Sequence, residues 1–372
     1  MLNNCITIGT HAFSTSSPCI IAEAGTAHGG NLQKAFELVD AAYEAGAHCV
    51  KFQHVYADEI IHPRTGNVPL PGGSIPLYDR FKSLEQPPDF FMHIKEYCLN
   101  KNIIFLCTPF GIRSARELHT IGVDAIKIAS PELNYIQLLQ EVAVYGKPVL
   151  LSTGVSTLAD IDRALAILQN IPKVILHCIT AYPAPEEEYN INVLTTLHAI
   201  TGAPCGLSDH SLHPTFIPGL SIACGAVAIE KHLCLSRQDD GLDDPIALEP
   251  KDFTNMTNFI TALAGKSPHE IIAIIQEEFG KERTVKALGT GIKQLAPSEY
   301  ENYGRTNRSL HVVTDINPGD QFTEHNVAIL RTEKILKPGI APVYLPIILG
   351  RKSRNYIEAG EGISWQDIGD YA

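Results

Sequence analysis

The chain has 372 residues, of which 45% are hydrophobic and 19% are charged. This ordinary globular balance excludes disordered and collagen-like proteins. The formal net charge at pH 7 is −12, from 29 basic and 41 acidic side chains, and the sequence contains no basic run. A nucleic-acid-binding surface is therefore not expected, and any anionic ligand would have to be bound by individually placed cations.

The sequence predicts a cytoplasmic protein. No apolar run approaches the ~18 residues that a membrane-spanning helix needs, and residues 1–5 lack the basic and apolar regions of a secretion signal. The nine cysteines are odd in number and form no Cys-x-x-Cys pair. Five of them lie in apolar, strand-like runs, which is typical of reduced thiols in a protein core.

Short apolar runs alternate with amphipathic stretches from about residue 19 to residue 265. Nearly uninterrupted apolar runs are typical of parallel strands that are buried on both faces. Strands are predicted at residues 19–25, 49–53, 103–108, 125–130, 148–153, 174–180, 205–209 and 227–232, with helices between them such as 32–45 and 158–168. Eight strand–helix units predict a (β/α)8 TIM barrel. A doubly wound open sheet is the alternative, but no Gly-x-Gly-x-x-Gly turn follows the first strand.

The composition changes after residue 265, which predicts a second domain. A helix is predicted at 267–280, and Gly, Pro and Asn residues punctuate the stretch that follows it. We therefore expect a barrel domain over 1–287, a linker over 288–305 and a small β-rich domain over 306–372. The Pro- and Gly-rich stretch 55–88 is a long connection of the kind that covers the active face of a barrel.

Polar side chains stand at the carboxyl end of almost every predicted strand. A single residue of this kind would be explained by a strand-end hydrogen bond to a loop. In a barrel, however, these ends converge on one mouth, so the repeated pattern predicts an active site. The residues concerned are Glu23, Lys51, Gln53, Thr108, Lys127, Ser130, Ser152, Thr180, Tyr182, Ser208, His210, Glu230 and His232.

Lys51 and Lys127 lie inside apolar strand segments, where an unpaired charge is costly. One explanation is an anionic ligand such as a phosphate, held by both ammonium groups and by nearby hydroxyls. The other is that each lysine pairs with a barrel carboxylate such as Glu23 or Glu230. Both can hold together, with the ion pairs forming part of the site.

His210 and His232 stand at the ends of the last two predicted strands, so both imidazoles can reach one divalent metal ion. Two nitrogen ligands with nearby carboxylates suit Mn²⁺, Fe²⁺, Co²⁺ or Zn²⁺ and leave positions open for a substrate oxygen. A core histidine that bonds a backbone carbonyl is the alternative for each residue. No third His or Cys ligand is evident in the sequence, which disfavours a structural zinc site.

In order and spacing, these motifs resemble those of the N-acetylneuraminate (sialic acid) synthase family, over essentially the whole chain. That family includes legionaminic and pseudaminic acid synthases and spore-coat polysaccharide synthases. Residues 308–368 resemble the antifreeze-like (SAF) domain of the family. The matching barrel segments are Ile-Ile-Ala-Glu-Ala-Gly (20–25), Val-Lys-Phe-Gln (50–53), Thr-Pro-Phe (108–110), Lys-Ile-Ala-Ser (127–130), Lys-Pro-Val-Leu-Leu-Ser-Thr-Gly (147–154), Tyr-Pro-Ala-Pro (182–185), Gly-Leu-Ser-Asp-His (206–210) and Ile-Glu-Lys-His (229–232).

The resemblance implies a transferase that condenses phosphoenolpyruvate with N-acetylmannosamine or a related acylated amino-sugar aldehyde. The products would be a nine-carbon 2-keto acid and inorganic phosphate. It also implies a divalent metal held by His210 and His232, with Mn²⁺ expected first and Mg²⁺ or Co²⁺ as alternatives. The implied partners are these two substrates and a second copy of the chain in a domain-swapped homodimer.

The resemblance also implies a role for each site residue. Glu23, Glu230, Lys51 and Lys127 would be the catalytic residues. Arg331 would be delivered to the other barrel of the dimer by the SAF domain. Phosphoenolpyruvate would be held by Lys51, Thr108, Lys127, Ser130, Ser152 and Ser208, and the sugar by Gln53, Tyr182 and Asp243, with Thr180 as a further substrate-binding residue.

The chain departs from the family pattern on the sugar side of the predicted site. The departures are Ala-His-Gly-Gly at 27–30, Thr180, Gly-Leu-Asp-Asp at 241–244 and Lys-Pro-Gly at 337–339. They leave the identity of the sugar open. Two other functions stay open as well, a catalytically silent carbohydrate-binding barrel and a sugar aldolase with a Schiff-base lysine. A retired enzyme usually loses charged residues that are costly to bury, and this chain has kept them.

Overall fold

The structure is a computed structural model that describes residues 4–70 and 73–371. It begins with an antiparallel hairpin of strands β1 (Cys5–Ile8) and β2 (His11–Ser14), which the sequence analysis did not predict. Ile6, Ile8 and Phe13 of this hairpin pack into one apolar cluster with the first residues of the barrel strands. The hairpin therefore closes the amino end of the barrel, opposite the predicted active face.

The predicted TIM barrel is confirmed. Eight parallel strands close into a ring in which each strand pairs with the next along the ring and the last pairs with the first. The bounds differ from the predicted ones by no more than two residues at either end. The barrel strands are β3 (Cys19–Gly25), β4 (Cys49–His54), β7 (Ile104–Pro109), β8 (Ile126–Ile128), β9 (Val149–Ser152), β10 (Lys173–Cys178), β11 (Cys205–Asp209) and β12 (Ala228–His232).

Amphipathic helices surround the strands and bury their apolar faces against the outside of the barrel. Helix α1 begins where the side chain of Asn31 accepts hydrogen bonds from the backbone N–H groups of Gln33 and Lys34. The predicted helix at 267–280 is present, and Ser267 and Glu270 cap its first turn. The helices around the barrel are α1 (Leu32–Glu44), α4 (Pro88–Lys101), α5 (Ile112–Ile121), α6 (Ile136–Ala143), α7 (Leu158–Ile167), α8 (Val193–Thr201), α9 (Phe216–Ala223), α10 (Pro250–Leu263), α11 (Pro268–Phe279) and α12 (Lys281–Leu288).

The long connection after β4 contains short elements of its own. They are helix α2 (Ala57–Ile60), a hairpin of β5 (Asn67–Leu70) and β6 (Gly73–Pro76), and helix α3 (Leu77–Lys82). Apolar side chains of this connection, Ile60 and Leu77 among them, pack against Phe110 at the carboxyl end of β7. The connection therefore covers one side of the barrel mouth, although residues 71 and 72 lie outside the described residues.

The C-terminal domain is small and β-rich, as predicted. Strand β13 (Arg308–Val312) pairs antiparallel with β14 (Val327–Arg331), and β15 (Arg351–Ser353) pairs antiparallel with β16 (Ile368–Tyr371). A four-residue helix, α13 (Leu345–Ile348), lies between the two pairs in the chain. The domain packs over the mouth of the barrel of its own chain, where Arg308 donates hydrogen bonds to Glu132. The domain-swapped homodimer stays a prediction.

Among the described residues, no helix is long and apolar enough to cross a membrane. No disulfide links the eight cysteines between Cys19 and Cys234. Cys19 and Cys49 show the expected environment, because both are fully buried among the apolar side chains at the amino end of the barrel.

Candidate active site

The carboxyl ends of the barrel strands surround a cavity of about 60 Å³. All but three of the predicted site residues line this cavity, and Phe110, Ala129, Pro131 and Cys178 complete its wall. The sequence pattern therefore located the mouth of the barrel correctly. The predicted residues in the wall are Glu23, Lys51, Gln53, Thr108, Lys127, Ser130, Ser152, Tyr182, Ser208, His210, Glu230 and His232.

Two lysines and two glutamates form the charged floor of the cavity. Glu23 and Lys51 are register partners on β3 and β4 and form an ion pair. Glu230 on β12 bridges both lysines, with its oxygens 3.6 Å from Lys51 Nζ and 3.7 Å from Lys127 Nζ. Each lysine thus has a carboxylate partner, as one of the two sequence-based explanations required.

The buried charges shift one another's pKa values. Burial lowers the pKa of Lys51, but Glu23 and Glu230 outweigh it and raise that pKa above its ordinary value. Burial dominates at Lys127, whose pKa is lowered because Glu230 compensates it only in part. Burial would raise the pKa of Glu230, yet the two lysines hold it well below its usual range. Glu230 is therefore ionised at neutral pH.

Hydroxyl groups extend the polar lining beyond the charges. Thr108 accepts a hydrogen bond from Lys51 at 3.2 Å, and Ser208 donates one to Glu230 at 2.9 Å. Ser130 accepts a hydrogen bond from the N–H of Gly154 at 3.0 Å. Within the described residues, the buried hydroxyl of Ser152 has no hydrogen-bond partner, so it is available to a ligand.

His210 and His232 face each other across the cavity, with ring centroids 5.5 Å apart. Nδ1 of His210 lies 2.7 Å from the carbonyl oxygen of Ile179 and must donate to it. That bond leaves Nε2 of His210 as the ligand atom, an arrangement that is common in metal-binding histidines. Burial lowers the pKa of His232 to about 3, so its imidazole is neutral and can bind a metal ion.

The donor set fits a divalent ion that keeps open positions. Burial opposes a charge on His210, but the adjacent Cys178 and the Ile179 carbonyl raise its pKa to about 9, so a metal ion would displace a proton from it. Over residues 4–70 and 73–371, no three His, Cys, Asp or Glu side chains form a ready coordination group. These residues therefore suit an open metal site, in which the protein supplies two imidazoles and substrate or water supplies the other ligands. They suit a closed structural site less well.

Three predicted residues lie outside the cavity wall. Asp243 is close, because its Oδ2 is 3.8 Å from Nδ1 of His232. Thr180 lies behind Gly154, where its buried hydroxyl has no hydrogen-bond partner among the described residues. Arg331 forms an ion pair with Glu132 and lies over the ring of Phe110, 5.3 Å from its centroid. In this structure the ring of Phe110 therefore lies between Arg331 and the cavity, and Arg331 contacts the barrel of its own chain.

The sequence analysis missed the buried group that holds Arg331. Glu132 follows β8 by four residues and pairs with both Arg308 and Arg331 of the C-terminal domain. Burial would raise the pKa of Glu132, but the two guanidinium groups hold it below its usual value. Its place two residues after Ser130, at a strand end, was the available signal. Nothing in the sequence linked it to arginines more than 170 residues away.

Comparison with known proteins agrees with this architecture. A model of the NeuB family matches residues 38–267, and a model of the SAF domain matches residues 307–369. The chain belongs to the NeuB family. The resemblance stated from the sequence motifs is therefore confirmed for both parts of the chain.

Several NeuB relatives match along nearly their whole length. The spore coat polysaccharide biosynthesis protein SpsE of Bacillus subtilis is 34% identical over 94% of this chain and 93% of its own. Its crystal structure has a TM-score of 0.81 at 32% identity, covering 99% of this chain and all of that one. The N,N'-diacetyllegionaminic acid synthase of Campylobacter jejuni is 31% identical over 91% of this chain and 97% of its own.

A solved sialic acid synthetase is also similar. The N-acetylneuraminic acid (sialic acid) synthetase of Leptospira borgpetersenii, in complex with citrate, has a TM-score of 0.64 at 32% identity. The match covers 80% of this chain and 94% of that chain. Relatives of this NeuB chain are therefore named as synthases of diacetyllegionaminic acid and of sialic acid and as a spore coat polysaccharide biosynthesis protein.

Proposed function

We propose that this NeuB-family chain condenses phosphoenolpyruvate with N-acetylmannosamine or a related acylated amino-sugar aldehyde. The products are a nine-carbon 2-keto acid and inorganic phosphate. The observation that carries the proposal is the single cavity in which two lysines and two glutamates lie beside a pair of facing histidines. Relatives named as legionaminic and sialic acid synthases support the class of product.

Lys51 and Lys127 bind the anionic groups of phosphoenolpyruvate in this proposal. Their charges are fixed in place and shielded from water, so they act more strongly on a bound phosphate than exposed lysines would. The hydroxyl of Ser152, which is free to donate, and those of Ser130, Thr108 and Ser208 complete the contacts. Gln53 and Tyr182 at the rim of the cavity, with Asp243 beside it, contact the sugar.

His210 and His232 would hold a divalent metal ion, Mn²⁺ in first place and Mg²⁺ or Co²⁺ as alternatives. When bound, such an ion supplies Lewis-acid polarisation of the aldehyde oxygen of the sugar. The protein's own contribution, shown at His210, is to orient the ring. The Ile179 carbonyl does so for His210, and the tilted ring of Tyr182 packs on it at 4.2 Å between centroids.

One of the two glutamates accepts a proton in the second half of the reaction. C3 of phosphoenolpyruvate forms a bond to the aldehyde carbon while the C=O π electrons move to the aldehyde oxygen, which takes up a proton and becomes a hydroxyl, and positive charge develops at C2. Water then adds to C2, and its proton passes to Glu23 or Glu230, which is held as a carboxylate by the lysines. The C2 hydroxyl then loses its proton to the departing phosphate as the bond between C2 and the phosphate oxygen breaks, which releases phosphate and leaves the 2-keto acid.

We also propose a cytoplasmic homodimer in which SAF domains are exchanged between copies. Support comes from the position of the domain over the barrel mouth, since a domain from a second copy could occupy the same place. Light scattering after size-exclusion chromatography should give twice the monomer mass. A monomer that retains full turnover would contradict this part of the proposal.

The proposed reaction is tested by phosphate release from phosphoenolpyruvate with Mn²⁺ and a panel of sugars. The panel contains N-acetylmannosamine, its 6-phosphate and 2,4-diacetamido-trideoxy hexoses, each with and without EDTA. Release that requires one sugar and stops with EDTA is the expected result. Folded protein that releases no phosphate with any sugar and binds no phosphoenolpyruvate would support the silent barrel. Borohydride trapping of an adduct on Lys51 or Lys127 would support the aldolase.

A further inference from the structure

The turn after β9 contains a strained backbone next to the cavity. Val155 has φ +41°, in the left-handed region that β-branched residues rarely adopt. Its side chain is fully buried. A conformation of this kind is energetically unfavourable and persists only where the surroundings hold it in place.

This turn is held by Glu299, in the segment between the barrel and the SAF domain, and by Asn307, at the start of the SAF domain. Oε1 of Glu299 accepts hydrogen bonds from the N–H of Val155 at 2.7 Å and from the N–H of Thr180 at 2.8 Å. The side-chain amide of Asn307 donates to the carbonyl of Val155 at 3.0 Å. Glu299 is 1% exposed, so these bonds form in a buried setting where they are strong.

The position of the turn determines the position of cavity hydroxyls. Gly154, between Val155 and β9, donates its N–H to Ser130 in the cavity wall. The approach is close, because a Cβ placed on Gly154 would overlap the hydroxyl of Thr180. Ser152, two residues earlier, presents to the same cavity a hydroxyl that has no hydrogen-bond partner among the residues that the structure describes. A shift of this turn would therefore move the hydroxyl groups of Ser130 and Ser152 at one end of the cavity.

We propose that Glu299 is a positioning residue for the phosphoenolpyruvate end of the active site. Acting through Val155 and Thr180, its carboxylate fixes the turn that supports Ser130 and Ser152. The segment between the domains is thus part of the binding site in addition to being a connection. This inference rests on the proposed function, because it names the substrate whose binding the turn supports.

A matched control tests whether Glu299 acts only by attaching the segment between the domains to the barrel. Glu188 accepts hydrogen bonds from the N–H and the hydroxyl of Ser298, at 3.0 and 2.6 Å. These bonds tie the neighbouring residue of the segment to the barrel. In the described part of the chain, Glu188 has no hydrogen bond to the turn at 152–155. Glu188→Ala should therefore loosen the segment without disturbing the cavity.

The test is calorimetric titration of phosphoenolpyruvate into the full-length protein, together with separate KM values for both substrates. Glu299→Ala is expected to weaken phosphoenolpyruvate binding roughly tenfold, the loss of one to two hydrogen bonds to a charged group. The KM for the sugar should change less than about twofold. Glu299→Gln keeps a carbonyl oxygen for both amides and should recover most of the affinity, and Glu188→Ala should match the wild type.

A second variant tests the strained backbone itself. Glycine adopts positive φ without a side-chain penalty, so Val155→Gly should make binding much less dependent on Glu299. The double variant is expected to bind phosphoenolpyruvate within about threefold of Val155→Gly alone. If Glu299→Ala does not fold, Asn307→Ala, which removes only the bond to the Val155 carbonyl within this turn, is expected to weaken binding about threefold.

The outcomes separate this inference from the proposed function. Wild-type affinity in Glu299→Ala, or an equal loss in Glu188→Ala, would overturn the positioning role while leaving the reaction in place. A wild-type protein that binds no phosphoenolpyruvate would overturn the proposed function and this inference with it.

Discussion

Glu23 and Glu230 lie beside Lys51 and Lys127 and offset the cost of burying a charge inside the barrel, fully at Lys51 and in part at Lys127. The sequence predicted that both lysines belong to the active site, because each interrupts an apolar strand near its carboxyl end. It also predicted that carboxylates could pair with them. It could not predict that Glu230 would contact both lysines, because that depends on the positions of strands far apart around the ring.

At the residue scale, we predict that Lys127→Met reduces turnover by at least about 100-fold. Methionine fills a similar volume but cannot bind an anion, and Glu230 keeps Lys51 as a partner. Steady-state phosphate release with both substrates saturating measures the effect. Lys173→Met is the matched control, because Lys173 begins β10 at the opposite end of the barrel. Unchanged turnover in Lys127→Met would remove that residue from the site.

Strands that lie in a nearly continuous apolar run were predictable, and strands with one buried face were not. Each barrel strand was recognisable in the sequence as a nearly continuous apolar run that ends in a polar residue. The N-terminal hairpin has strands of only four residues, in which one face alone is buried, so no comparable signal exists. The placement of the C-terminal domain depends on Glu132, Arg308 and Arg331, whose contacts join distant parts of the chain.

At the element scale, we predict that Glu132→Ala loosens the C-terminal domain from the barrel. The change leaves Arg308 and Arg331 buried without their carboxylate, at a cost of about 3–5 kcal/mol. Calorimetry should show a lower or split unfolding transition. Protease should cut the segment between the domains faster.

The control for this prediction is Glu358→Ala. Glu358 also joins the C-terminal domain to the barrel, through Arg64, but the pair is half-exposed. Its loss should cost less than about 1 kcal/mol. Equal effects of the two substitutions would show that Glu132 has no special part in docking the domain.

The whole molecule buries several histidines in the neutral form. Burial lowers the pKa of His28 and His311 to about 4 and that of His177 to about 3. The unfolded chain, with ordinary histidine pKa values near 6.5, binds these protons at higher pH than the folded chain does. The stabilisation that these neutral histidines give to the folded state is therefore fully present above pH 6.5. It declines as the pH falls toward 4.

At this scale, we predict that the free energy of unfolding falls between pH 7 and pH 5. Each such histidine contributes a slope of up to about 1.4 kcal/mol per pH unit below pH 6.5. Urea denaturation at a series of pH values measures the slope. His311→Gln should lower the number of protons taken up on unfolding by close to one, and the slope in proportion. An unfolding free energy that stays constant or increases from pH 7 to pH 5 would contradict this prediction.

The central claim is that phosphoenolpyruvate is condensed through its carbon skeleton rather than hydrolysed at phosphorus. The most direct test uses phosphoenolpyruvate labelled with ¹⁸O in the oxygen that joins C2 to phosphorus, turned over with the sugar that supports release. Mass spectrometry of the phosphate should find the label there, together with an unlabelled nine-carbon 2-keto acid. Unlabelled phosphate, with the label retained in pyruvate, would show phosphorus–oxygen cleavage and contradict the account.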